Sequence, residues 1–180
     1  MMESTFYRLD SKDLILLVGG SWDSFAYKNN ASGLSAREIE GHCIWEYITG
    51  DATVMWLKSL FGYVRVRKTA VERNYRCDSP KVKRFMRMRI TPEEDGNLLL
   101  EHDILSIEPR EKSVNFNKRH KQGLHNLIFR CSFCNQVYSG GVWGELESLD
   151  KTINLQELTV AWSVCEHCKD LLPNIANVDV

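Results

Sequence analysis

The sequence lacks any long hydrophobic run. Its longest apolar run covers residues 14–18, whereas a helix that crosses a bilayer needs about 20 apolar residues. The first ten residues include acidic side chains and no apolar stretch of signal-peptide length. We therefore expect a cytoplasmic protein that does not enter a membrane and whose thiols stay reduced.

Motifs of the common enzyme classes are also absent. The chain has no Gly-rich phosphate loop, no nucleophile elbow and no His-Glu-x-x-His helix. The pairs Gly19-Gly20 and Gly140-Gly141 are explained more simply by turns. We predict that the protein is not an enzyme and has no catalytic residues.

A strong net charge is missing too, since the formal charge is −1 at pH 7. This value gives no general attraction to nucleic acids. Ten Lys or Arg residues against two acidic ones do lie between Arg65 and Arg89, and a solvated strand face with a helix end accounts for them most simply. Hydrophobic residues make up 43% of the chain and charged residues 26%, which is typical of a globular protein.

The strongest motif in the sequence is a pair of Cys-x-x-Cys units separated by thirty residues. Two residues between cysteines let a tight turn direct both sulfurs at one tetrahedral ion, and two such turns supply four ligands. A closed set of four cysteines favours a structural zinc ion over a catalytic one, which keeps a position open for water. The predicted ligands are Cys131, Cys134, Cys165 and Cys168.

A redox or disulfide role suits these cysteines less well than metal binding. A thioredoxin-like redox pair requires a βαβ unit that this region does not show, and disulfides conflict with a reducing compartment.

His167 lies between two ligands and is expected to be exposed and uninvolved. Arg130 and Lys169 are each adjacent to a ligand and could offset the thiolate charge. Cys43 and Cys77 have no partner at metal-binding spacing, and we expect ordinary thiols.

The N-terminal half predicts an α+β fold with five strands. Residues 14–18 and 22–27 are interpreted as strands, and the capping-box pattern from Ser35 to Glu38 indicates a short helix. Asp51 is the predicted N-cap of a longer amphipathic helix. From Ala70 the periodicity becomes alternating, and the last two strands form a hairpin around the Asp-Gly turn of residues 92–97. A charged, amide-rich segment, 109–126, is predicted to be a linker.

This order of elements resembles a PAS domain over residues 13–108. The resemblance rests on Trp22-Asp23-Ser24-Phe25-Ala26, on the following Asn-Asn-Ala, and on the Ile-x-Gly turn and aromatic-rich segment at 39–48. Residues 75–80 and the Cys-Ser-x-Cys tail resemble a group of small bacterial PAS proteins. One departure is that 161–164 read Ala-Trp-Ser-Val, where that tail often has a His. The resemblance implies a five-stranded antiparallel sheet with helices on one face, followed by a zinc module at 127–173.

A PAS-like domain implies a small-molecule pocket or a protein-docking surface. The alternation places Arg84 on the side of Met86 and Met88, where a cation needs an acidic partner, such as Asp78, or an anionic ligand. A structural ion pair at the strand end accounts for the same residues more simply. The six candidate pocket residues are Trp45, Arg76, Asp78, Arg84, Met86 and Met88. Neither His42 nor His102 makes a convincing haem ligand, and no cysteine lies in a flavin-reactive motif.

The first functional hypothesis is a signal-transduction sensor or adaptor, in which a PAS-like domain is coupled to the zinc module. Because the chain has no output motif, it would act through a protein partner, and we expect a homodimer with Trp22, Phe85 and the outer sheet face at its surface. The alternative is a zinc-dependent nucleic-acid-binding or transcription-regulating adaptor that uses residues 65–89. The near-neutral charge disfavours this alternative.

Overall fold

A computed structural model describes residues 4–29, 31–111, 113–114, 116–117, 127–148 and 158–170. These residues form two five-stranded sheets with short helices beside them. The first sheet contains β1 (Ser4–Leu9), β2 (Ile15–Gly20), β3 (Val71–Arg76), β4 (Val82–Pro92) and β5 (Leu98–Pro109). The helices between its strands are α1 (Trp22–Lys28), α2 (Ala36–Ile39) and α3 (Asp51–Arg67), with 3-10 turns at Ser32–Leu34, Ile44–Glu46 and Glu94–Gly96.

The first sheet has the order β2-β1-β5-β4-β3, and all of its neighbouring strands are antiparallel. The β4–β5 hairpin reverses at Asp95 and Gly96, which both have positive φ, as the Asp-Gly sequence predicted. The helices between β2 and β3 cover the apolar face that β1, β4 and β5 present. An α+β fold with a five-stranded antiparallel sheet is therefore confirmed.

Two predictions about the N-terminal strands were wrong. Residues 22–27 form helix α1 and not a strand, since Trp22 and Ala26 lie one helical turn apart and both face the interior. The missing strand is β1, whose alternating Thr5, Tyr7 and Leu9 are buried against the helices. The alternation of apolar and polar residues in β1 could have indicated this strand, but the pattern covers only six residues near the start of the sequence.

The predicted helices at 35–41 and after residue 50 are present. Ser35 and Glu38 form the reciprocal hydrogen bonds of a capping box at α2. Helix α3 starts at Asp51, and its N-cap is Gly50 rather than Asp51. Gly50 has a φ of +94°, and a Cβ atom there would lie 2.9 Å from the ring of Trp162. A side chain is therefore excluded where the second sheet meets the start of α3.

The second sheet contains β6 (Phe116–Asn117), β7 (Leu127–Cys131), β8 (Val137–Ser139), β9 (Val142–Gly144) and β10 (Leu158–Ser163). A 3-10 turn follows at Leu146–Ser148, and α4 covers Glu166–Asp170. The sheet order is β6-β10-β7-β8-β9, with β10 parallel to both β6 and β7. A small sheet thus lies in a region where the sequence analysis predicted no strands. Residues 149–157 lie outside the described ranges.

The two Cys-x-x-Cys units are part of the apolar core of the first sheet. Cys131, Phe133, Cys165 and Cys168 belong to the same buried cluster as Leu60 of α3. A smaller cluster around Val137 and Val160 lies within the second sheet. No helix in the described part of the chain is long and apolar enough to cross a membrane.

The predicted linker contributes to this packing. Val114 is buried, and its N–H donates to the carbonyl of Pro80 at 3.0 Å. Arg110 has a side chain only 2% exposed. Residues 118–126 of the predicted linker, and 171–173 at the end of the predicted module, lie outside the described ranges.

Candidate metal centre and adjoining cavity

The first Cys-x-x-Cys unit is a tight turn at the end of β7. The N–H of Asn135 donates to the carbonyl of Cys131 at 3.1 Å, and the N–H of Cys131 donates to the carbonyl of Gln136 at 2.8 Å. Asn135 has a φ of +60°, a conformation that asparagine tolerates better than most residues. These bonds bring Cys131 and Cys134 to the same side of the turn.

The second unit is positioned by β10 and α4. Parallel pairing places Ser163 opposite Cys131, and the N–H of Ser132 donates to the carbonyl of Ser163 at 2.8 Å. Cys165 follows directly, and its N–H points to the sulfur of Cys131 at 3.4 Å. Cys168 lies in α4, one turn later. A parallel strand pair therefore joins the two units, which are distant in sequence.

The four sulfur atoms all lie within 4.8 Å of one another. The Sγ atoms of Cys134 and Cys165 are 3.6 Å apart. A tetrahedral ion with bonds of about 2.3 Å to sulfur requires sulfur–sulfur distances of about 3.8 Å. Cys131, Cys165 and Cys168 are buried, with exposed fractions of 0, 1 and 7%. The cluster could hold a metal ion, as the spacing predicted.

Thiol protons compete with such an ion. Hydrogen bonds from Cys134 and Cys168 stabilise a thiolate at Cys131 and lower its pKa. The same hydrogen bonds raise the pKa of Cys134 to about 12 and also raise the pKa of Cys168. One negative sulfur thus makes the next two thiols hard to ionise, because the charges would repel in a buried site. A divalent cation at the centre would remove that obstacle.

The first Cys-x-x-Cys turn is attached to the free edge of the first sheet. The N–H of Arg76 in the edge strand β3 donates to the carbonyl of Phe133 at 2.6 Å, and the Asn135 amide donates to the carbonyl of Arg76 at 3.1 Å. The ring of Phe133 also packs on that of Trp56 in α3, with centroids 4.0 Å apart. The turn therefore covers strand edge groups that would otherwise be unpaired.

A buried ion cluster lies next to this attachment. The Asp78 carboxylate, whose side chain is 2% exposed, accepts from the guanidinium of Arg76 at 2.5 Å and from that of Arg110 at 2.5 Å. Arg130 lies 3.7 Å from the same carboxylate. Glu145, from the second sheet region, pairs with Arg76 at 2.6 Å. The cluster thus joins the first sheet, the predicted linker and the Cys-rich unit.

A partly enclosed cavity of about 250 Å³ lies between the first sheet and its helices. Its lining is mostly apolar and aromatic: Thr5, Tyr7, Trp22, Phe25, Leu34, Ile39, Ile44, Tyr47, Ile48, Tyr75, Cys77, Met86 and His102. Two larger hollows border the β4–β5 turn, but they are lined mainly by charged and polar residues of the surface. The cavity is the better candidate for a small molecule.

Of the six candidate pocket residues, Met86 lines this cavity. Arg76 and Asp78 form a structural ion pair at the end of β3, which is the simpler role considered for them. Arg84 donates to the side chain of Asn29 at 2.6 Å and lies over the ring of Phe25. Trp45 and Met88 are not among the residues that line the cavity within the described ranges.

Trp45 and Met88 contribute to the structure in other ways. Trp45 donates its indole N–H to Asp13 at 2.9 Å, and Met88 lies in the core. The dimer hypothesis required Trp22 to lie at the surface. In α1 it instead faces inward, and its indole N–H donates to the carbonyl of Leu34 at 2.7 Å. Tyr7 and Tyr75 line the cavity, although the sequence analysis did not select them.

The two basic residues next to the predicted ligands have carboxylate neighbours in the structure. The guanidinium of Arg130 lies over the ring of Trp162 and near Asp78, and burial lowers its pKa to about 10. Lys169 pairs with Glu166 at 3.8 Å on the surface. His167 is exposed, as predicted.

Among the described residues of the cavity wall, His102 is the one histidine, and its pKa is lowered. Its Nδ1 is 2.8 Å from the hydroxyl of Tyr75, its ring stacks on Tyr7 at 5.3 Å, and its Nε2 has no partner among the described residues. Burial lowers the pKa of His102 to about 4, and the nearby Asp103 offsets this only in part. The imidazole is therefore neutral at physiological pH.

This shift predicts a stability that falls on acidification. Between pH 6.5 and about 4 the unfolded chain binds a proton at His102 and the folded protein does not, so acid favours unfolding. We expect the wild type to lose about 2 kcal/mol more unfolding free energy between pH 7.5 and 5 than His102→Gln. Urea unfolding of both proteins at pH 7.5 and at pH 5 measures these unfolding free energies. Equal losses would show that His102 does not titrate in this way, and acid release of a metal would affect both proteins alike.

A scan against protein-family models finds no match to this chain, and a search of curated proteins finds no similar sequence.

Proposed function

We propose that the protein is a non-enzymatic sensor or adaptor, in which a PAS-like ligand-binding or docking domain is coupled to a structural zinc centre. The sheet order β2-β1-β5-β4-β3, with the helices inserted between β2 and β3, supports a PAS-like unit. This unit includes β1 and so begins earlier than the resemblance indicated. The closed set of four sulfurs supports zinc in a structural role.

One observation carries this proposal: strand β3 contacts both sites through consecutive residues. Tyr75 faces the cavity, where its hydroxyl meets His102, and the backbone of Arg76 holds the Cys-x-x-Cys turn. Because Tyr75 and Arg76 are neighbours in one strand that is paired with β4, a shift of β3 moves both contacts together. A change in the cavity would therefore reach the metal centre without a separate relay.

The basic region supports this proposal over a nucleic-acid-binding role. Lys83 pairs with Glu145 and Glu147, and Arg87 pairs with Asp103. Arginine and lysine side chains that are held by acidic partners contribute less to phosphate binding. Exposed apolar side chains on β2 and β5 instead support self-association or a protein partner: Leu16, Leu17, Leu105 and Ile107.

Native mass spectrometry of the freshly purified protein tests the proposal. We expect one zinc ion per chain, because four thiolates complete one tetrahedral shell. We also expect a dimer, because association buries the exposed apolar side chains of the sheet. The mass of the acid-denatured protein, which has lost its metal, is the reference from which the bound metal is counted. A folded chain that carries no metal would contradict the zinc centre, and a strict monomer at high concentration would contradict self-association.

A further inference from the structure

The cavity between the first sheet and its helices has a size that restricts its occupant. Its volume is about 250 Å³. An apolar cavity of about 150 Å³ accommodates benzene, and drug-sized ligands occupy about 300–1,000 Å³. Scaling from benzene gives an occupant of about ten non-hydrogen atoms. A large cofactor does not fit this volume.

The lining favours a neutral ligand. No Asp, Glu, Lys or Arg is among the described residues that line the cavity. Burial keeps the titratable groups neutral, because it lowers the pKa of His102 and raises those of Tyr7 and Cys77. An anion in this space would lose much of its hydration, and the nearby guanidinium of Arg84 is already engaged with Asn29 and with the carbonyl of Cys77. The occupant is therefore neutral.

His102, a residue of the cavity wall, has one unsatisfied ring nitrogen. The Nε2 atom of His102 is buried and has no hydrogen-bonding partner among the described residues, while Nδ1 is engaged with Tyr75. Depending on which atom of that pair carries the proton, Nε2 is either a donor or an acceptor. A hydroxyl group satisfies both cases, whereas a carbonyl or an ether satisfies only one.

From these observations, we propose that the cavity binds a small, neutral aromatic alcohol of the phenol class, with its ring among the aromatic side chains and its hydroxyl on Nε2 of His102. Tyr7, Trp22 and Phe25 supply aromatic surface to the cavity, and Met86 supplies a polarisable thioether. This inference rests on the sensor function proposed above and names the chemical class that the sensor recognises.

Calorimetric titration of the zinc-loaded full chain with three probes tests the ligand class. We expect 2-naphthol to bind, naphthalene to bind about tenfold more weakly, and 2-naphthoate not to bind. The tenfold difference arises because naphthalene leaves Nε2 unsatisfied. Equal affinity for naphthol and naphthalene would overturn the role of His102, and tighter binding of naphthoate would overturn neutrality. No binding of any probe at millimolar concentration would overturn the site.

Two variants locate the binding. In His102→Phe the affinities for 2-naphthol and naphthalene should become equal, and in Leu34→Trp, which fills the cavity, both should be lost. Unchanged naphthol affinity in Leu34→Trp would place the binding elsewhere. The three-probe comparison on the wild type decides the ligand class even if a variant does not fold. The zinc content of the same samples separates the outcomes, since a zinc-loaded protein that binds no probe contradicts only the ligand inference.

Discussion

Replacing Cys131 by Ser is expected to release the metal and to unfold the Cys-rich unit. Cys131 is fully buried, ends β7 and belongs to the core shared with α3. The binding energy of structural zinc, on the order of 10 kcal/mol in peptide modules, is comparable to the whole stability of a domain. We expect the zinc content to fall from one per chain to nearly none, and residues 127–170 to become sensitive to protease.

The matched control is Cys43→Ser. Cys43 lies outside the sulfur cluster and precedes the 3-10 turn at Ile44–Glu46, where serine can cap equally well. This variant should keep its zinc and its thermal midpoint. Metal analysis with limited proteolysis distinguishes the two proteins. If Cys131→Ser retained both one zinc ion and protease resistance, the four-cysteine centre would be refuted.

Replacing Asp78 by Asn is expected to cause the second large loss. The asparagine keeps the shape of the side chain but removes the carboxylate charge that lies against Arg76, Arg110 and Arg130. Breaking a buried ion pair from one side costs about 3–5 kcal/mol, because the remaining charge is left uncompensated. Chemical denaturation should show a loss of this size.

Asp103→Asn provides the control for Asp78. Asp103 pairs with Arg87 at the surface of the first sheet, where water screens the interaction. Its replacement should change stability much less. A loss in Asp78→Asn no greater than that in Asp103→Asn would show that the buried cluster does not hold the two sheets together.

Features that depend on neighbouring residues in the chain were predicted best from the sequence. Each Cys-x-x-Cys unit is held by local backbone geometry, so its spacing alone indicated the four cysteines that the structure brings together. The capping box at Ser35 and the Asp-Gly turn at Asp95 are equally local, and both were predicted. In these segments few residues fix the backbone, and the relevant partners are neighbours in the chain.

The predictions were weaker where partners are distant in sequence. Residues 22–27 contain aromatic residues that suit a strand, but the contacts of Trp22 with Tyr7 and Leu34 favour a helix. Asp78 was proposed as the acidic partner of Arg84, whereas the structure pairs it with Arg76. Arg110, Arg130 and the carboxylate of Glu145 come from segments that the sequence could not place nearby. Their burial depends on the packing of the second sheet against the first.

The sequence by itself indicated the four clustered cysteines, the α+β composition, helices α2 and α3 and strands β2, β4 and β5, because turn chemistry, capping and hydrophobic periodicity are local properties. Only the tertiary structure decided that the Cys-rich unit shares a core with the first sheet. It also decided that Tyr75 and His102 meet at the wall of the cavity. The physical reason is that strand pairing and side-chain packing join residues far apart in the chain, and no local pattern encodes which of those partners will meet.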